Sequence, residues 1–382
     1  GTTLSTPIHE AAMSEALENF PYWPDIPPLY DIHRTWKENI EAGPRFRKPY
    51  PERPEGPMES FLGFSLRSTL GVAAGPLLDS RWIHCASRLG FDILTYKTIS
   101  AQPRASHPLP NIVYLDIDGQ LSNTPDPLHV TRADIPPTYI EQLAITNSFG
   151  NPSMDSSFLR DDIARARACL LDGQMLVVSV FGTGESPDAL ADAYCEAAHI
   201  ALQGGAHAIE ANLSCPNVKA SEGALYQSPT AVLALSSALH REIGSAPLIL
   251  KMGAFADCQV HREVFAAAVE GSAQAISGIN TLQREIRTSE GDFALGSQRP
   301  TGGVCGNPIR AAALDFIAQS RHIIRSEKLP LSLIGVGGMT LPEHFDAALD
   351  AGADSVQCAT GMMWDPYLAA RYHQRKEALD YV

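Results

Sequence analysis

The stretch from Pro187 to Asn212, PDALADAYCEAAHIALQGGAHAIEAN, decides the fold. Alanines recur at helical spacing from 187 to 203, and Gly204-Gly205 is a C-terminal stop signal. Ala208 to Asn212 then forms a short apolar run ending on a polar residue, which reads as a buried strand. Working outward, seven more such runs follow the same order of strand, loop and Ala/Leu-rich helix. They are Leu70 to Ala74, Ile93 to Lys97, Leu176 to Val180, Leu248 to Lys251, Ala275 to Asn280, Leu331 to Val336 and Ser355 to Ala359. Eight βα units predict an α/β fold, a (β/α)8 TIM barrel.

Two regions break the alternation. Residues 1 to 60 are proline-rich at 21–28 and 44–57, with short amphipathic helices expected around 8–19 and 31–41. This N-terminal extension reads as an arm strapped to a barrel that occupies 61–382, with a lid or partner-binding role as the alternative. Residues 98 to 174 are too long for a simple βα connection, and Pro103, Pro108, Pro110 and Asn111 open them with turn chemistry. An insertion after strand two, a hairpin or excursion over the barrel mouth, is expected.

Composition narrows the function. Hydrophobic residues make up 45% of 382 and charged residues 19%, the balance of a folded soluble chain. A net charge of -14 without a Lys/Arg run opposes nucleic acid and anionic membrane surfaces, and no apolar run reaches membrane-span length. Seven cysteines without a CxxC pair disfavour a disulfide scaffold, a zinc site or an iron-sulfur cluster, so no metal is expected. The expectation is a cytoplasmic homo-oligomer acting on a small molecule, with room for an electron-transfer partner subunit.

In a barrel the C-terminal strand ends face the active site, and here they are polar. Ala74-Gly75 follows strand one, Lys97-Thr98 ends strand two, Ser179 lies in strand three, and Asn212 and Lys251 end strands four and five. Asn280-Thr281 ends strand six. Two lysines and two asparagines in register suit a planar heterocycle with carbonyl and ring-nitrogen edges. Gly302-Gly303, Gly337-Gly338 and Thr360-Gly361 offer bare backbone N–H groups where such barrels hold phosphate, which points to a phosphorylated cofactor. In Asn212-Leu-Ser-Cys215-Pro-Asn217, a cysteine flanked by two amides opens the loop after strand four, a setting for a base or nucleophile rather than an inert thiol.

With that motif the chain resembles the dihydroorotate dehydrogenase family over about residues 60 to 370. Phe61 to Gly75 is similar to the family's opening hairpin and first strand, Lys97-Thr98 to its flavin-contacting lysine, and Asn147-Ser-Phe149-Gly150-Asn-Pro152 to its substrate loop. The resemblance implies FMN held by Ala74, Gly75, Lys97, Thr98, Ser179, Asn212, Lys251, Gly302, Gly303, Gly337, Gly338, Thr360 and Gly361. It places substrate among Lys97, Asn147, Phe149, Gly150, Asn212, Asn217, Asn280 and Thr281, with Cys215 as the base. A cysteine base is similar to the soluble class one enzymes, with some likeness to the pyrimidine-binding domain of dihydropyrimidine dehydrogenases. Ser68-Thr69 and, in the substrate loop, Asn151 and Ser153 depart from the family pattern. The implied reaction is FMN-dependent oxidation of dihydroorotate to orotate. The alternatives are another cyclic amide substrate, or a flavin-bound subunit or sensor with vestigial chemistry.

Overall fold

The computed structural model describes residues 24 to 214 and 224 to 380, apart from 25 and 48. The expected helix around 8–19, and the motif residues Cys215 and Asn217, lie outside the described residues. In chain order the strands are β1 (Glu59–Phe61), β2 (Phe64–Leu66), β3 (Leu70–Val72), β4 (Ile93–Ile99), β5 (Ile112–Asp116), β6 (His129–Arg132), β7 (Ala144–Asn147) and β8 (Met175–Val180). They continue with β9 (Ala208–Asn212), β10 (Leu248–Met252), β11 (Ala275–Gly278), β12 (Leu282–Arg287), β13 (Thr301–Gly306), β14 (Ser332–Val336) and β15 (Ser355–Cys358). The helices that carry the argument are α1 (Trp36–Ala42), α2 (Ser80–Arg88), α3 (Ser156–Ala168), α4 (Pro187–Gly204) and α5 (Arg310–Ser326).

β3, β4, β8, β9, β10, β11, β14 and β15 close into one parallel barrel, and each corresponds to one of the eight apolar runs. The α4–β9 unit shows why. Ser186 caps the first turn by accepting from Ala189 N, and Gly205 ends the helix at φ 104°, a conformation open to glycine. β9 then pairs with β8 on one side and β10 on the other.

The interior is layered. Ile93, Met175, Val177, Ala208, Ile249, Ala275 and Ile334 point inward as one apolar cluster, joined by Phe61 and Leu66 of the β1–β2 hairpin. Two residues further along, the same inward face of five strands turns polar: Thr95, Ser179, Glu210, Lys251 and Ser277, all buried. Two-residue periodicity therefore leads from an apolar floor to a polar layer at the mouth.

Two features differ from expectation. The excursion after β4 contributes β5, β6 and β7, which close with β12 and β13 into a second, smaller barrel, so the insertion is completed by the chain that follows β11. Gly302 and Gly303, read as a loop, lie within β13, paired with β12 and with β7, and neither position has room for a side chain. A Cβ on Gly303 would sit 2.2 Å from Thr281 Oγ1. In the arm, helix begins at Trp36 rather than 31. Thr35 and Glu38 form a capping box, and the Asn39 side chain holds Asp31 in a preceding turn.

Candidate active site

One cavity of about 580 Å³ opens among the C-terminal strand ends. Every described residue given a cofactor- or substrate-binding role in the sequence lines it: Ala74, Gly75, Lys97, Thr98, Ser179, Asn212, Lys251, Gly302, Gly303, Gly337, Gly338, Thr360 and Gly361, together with Asn147, Phe149, Gly150, Asn280 and Thr281. β7 and β13 of the small barrel bring Asn147 and Gly303 opposite each other, so two barrels supply its walls.

The amides are held in place. Asn280 Nδ2 donates to Asn212 Oδ1 at 3.1 Å and to Ser214 Oγ at 2.5 Å, and Ser214 N donates to Asn212 Oδ1 at 3.2 Å. The Tyr194 hydroxyl on α4 donates to the Asn212 carbonyl at 2.7 Å, tying the end of β9 to the outer helix layer. Thr98 and Ser179 share a hydroxyl contact of 2.8 Å across β4 and β8. Asn147 Nδ2 reaches Cys305 Sγ at 3.0 Å, and burial pushes that thiol up to about 12, so it stays neutral.

The two lysines differ. Burial alone acts on Lys97 and brings it down to about 8, while its Nζ lies 4.8 Å from the Phe149 ring centroid and 3.5 Å from the Gly75 carbonyl. Lys251 is also pushed down by burial, but Glu210 opposes the shift. Glu210 is in turn pushed up by burial and pulled back first by Lys251 and then by Ser179. Neither Glu210 oxygen has a hydrogen-bond partner of ordinary geometry, and its side chain faces the cavity two residues before Asn212.

Sequence reading missed several cavity residues, among them Glu210, Cys305, Tyr30 and Trp36. Glu210 carried a signal, a carboxylate alternating in step with Asn212 in an apolar run. Cys305 carried none apart from its place beside Gly302-Gly303. Tyr30 and Trp36 come from the arm, and nothing local marks them. Of the two departures in the substrate loop, Asn151 lines the cavity, whereas Ser153 turns away and accepts from Ser100 N at 3.1 Å.

The lining fits a flavin phosphate ester. Gly337 and Gly338 adopt φ 132° and 72° after β14, and a Cβ on Gly338 would meet Arg310 N at 2.8 Å, so backbone alone edges the cavity there. A buried and a half-buried lysine, paired amides and a glycine edge together match an anionic group joined to a hydrogen-bonding heterocycle.

Comparison with known proteins agrees. The sequence profile of the dihydroorotate dehydrogenase family matches residues 135–377. A dihydroorotate dehydrogenase of Dictyostelium discoideum is 42% identical over 368 residues, spanning 93% of this chain and 99% of that protein. The catalytic subunit of a dihydroorotate dehydrogenase B (NAD(+)) from Maridesulfovibrio salexigens is 32% identical over 180 residues, 45% of this chain and 54% of that one. In fold, a crystal structure of DHODH from Eimeria tenella in complex with ferulenol superposes with a TM-score of 0.63 at 17% identity, covering 99% of this chain and 92% of that one. The chain belongs to the dihydroorotate dehydrogenase family, oxidoreductases that act on CH–CH groups.

Proposed function

We propose that the chain oxidises dihydroorotate to orotate with FMN bound in this cavity. The observation that carries the reading is the convergence of Lys97, Lys251, Asn147, Asn212 and Asn280 with the Gly337-Gly338 edge in a single cavity. Gly337, Gly338, Thr360 and Gly361 would hold the phosphate, and Lys97, Lys251, Thr98, Ser179 and Asn212 the ring system. When bound, FMN supplies the acceptor for the hydride that leaves the substrate.

The chain's own residues do the rest. Asn147, Asn212, Asn280 and Thr281 orient the cyclic amide by pairing with its carbonyl and N–H edges, and the backbone at Phe149-Gly150 approaches its carboxylate. Cys215 as thiolate takes the carbon-bound proton next to the carbon that loses hydride. Asn217 is assigned to the substrate by resemblance alone. The Glu210 carboxyl opposes the downward push of burial on Lys251, which favours the ammonium form beside the ring.

The test is direct. Purified protein should carry an FMN absorbance that bleaches under anaerobic dihydroorotate, and Cys215→Ala should keep the absorbance while losing nearly all of the bleaching rate at neutral pH. A protein that neither contains FMN nor can be reconstituted with it, or whose flavin ignores dihydroorotate, overturns the reading.

A further inference from the structure

The arm reaches the cavity. Tyr30 and Trp36, 4% and 8% exposed, line it beside Phe149 and Lys97. Their segment is anchored on both sides. The Trp82 indole N–H on α2 donates to the Leu29 carbonyl at 2.7 Å. Asn39 on α1 accepts from Asp31 N at 2.8 Å and donates to the carbonyls of Asp31 and Thr35 at 3.0 and 2.9 Å. From this clamp Tyr30 presents itself to Phe149 in a T-shaped contact, centroids 5.9 Å apart and planes at 85°. The same Phe149 ring receives the Lys97 ammonium at 4.8 Å.

We propose that the arm is a wall of the substrate compartment, in which Tyr30 is a positioning residue that fixes the Phe149 ring and, through it, the Lys97 ammonium. The inference rests on the reading of residues 147–150 and Lys97 as substrate contacts. An edge-to-face contact restrains a ring that a loop alone leaves free to turn, and a cation over a ring face needs that face held. Lys97 depends on this more than Lys251 does, because burial without an opposing carboxylate acts on it. Loss of Tyr30 should therefore weaken anion binding at Lys97 while leaving the glycine-edged end of the cavity intact.

The experiment titrates the flavin absorbance of the holoenzyme with orotate in Tyr30→Leu, Tyr30→Phe, Phe149→Ala and the Tyr30→Leu/Phe149→Ala double variant. Tyr30→Leu keeps apolar bulk without a ring. It should raise the orotate Kd and the dihydroorotate KM five- to tenfold, with FMN content unchanged and kcat altered less than twofold. Tyr30→Phe should restore binding to within twofold of wild type, and the double variant should bind no more weakly than Phe149→Ala alone. Wild-type affinity in Tyr30→Leu, or additive losses in the double variant, overturns the proposal. A wild-type flavin that gives no response to orotate sinks the substrate reading on which it rests, a different failure seen before any variant is made.

Discussion

Lys97 is a residue whose charge the cavity can switch. With burial bringing it to about 8, it is an ammonium below that pH and loses its proton above it. An anion held by Lys97 should bind with constant affinity from pH 6 to about 7.5 and weaken by roughly tenfold per unit above about 8. In Lys97→Ala the break should vanish and binding should be weak throughout. Orotate titrations of the flavin spectrum across this range check the outcome. Linkage gives the sign for stability: the unfolded chain holds this proton to a higher pH than the folded one, so apoprotein stability contributed here rises as pH climbs from about 8 towards the ordinary lysine value. At this scale the sequence was legible wherever a polar residue ended an apolar run, as at Lys97, Asn212 and Lys251. Tyr30 and Trp36 were not legible, since their role comes from a segment folding back across α2, which no local pattern encodes.

Among elements, the approach of the turn after β14 to the start of α5 sets a tight constraint. Gly338 at φ 72° lies against Arg310, whose side chain donates to the Gly338 carbonyl at 2.9 Å. A Cβ there would stand 2.8 Å from Arg310 N and 2.6 Å from its Cβ, and neither is the far end of a flexible chain. Gly338→Ala should therefore cost about 1 to 3 kcal/mol of stability from backbone strain alone and release FMN on gel filtration, whereas Gly291→Ala, at a positive φ but in open space, should keep its flavin. Retained FMN and an unchanged melt in Gly338→Ala would contradict the assignment of this edge. The eight barrel strands were readable because each is a separate apolar run bounded by turns. The small barrel was not, since β12 is mostly polar, β13 is half glycine, and they pair with β6 and β7 more than a hundred positions earlier.

Across the whole molecule, the ring of eight strands is completed by β15 against β3, with Val356 opposite Leu70 and the Ser355 hydroxyl donating to the Thr69 carbonyl at 2.8 Å. That seam joins residues 286 positions apart. During synthesis β3 emerges early and must wait, one side of it unpaired, until nearly all of the chain has left the ribosome. An unpaired strand edge is a template for self-association, and closure over so long a loop is entropically late. A chain cut after 354 should therefore keep most of its helix by circular dichroism yet aggregate and lose its cooperative melt. Adding the missing 28 residues back as a separate peptide should rescue it poorly, because the seam then has to form between molecules. Soluble, cooperatively melting protein from the shortened chain would show that the first strand can be sheltered without the last. Otherwise, newly made copies of this protein depend on chaperone shelter for as long as translation of the final strand takes.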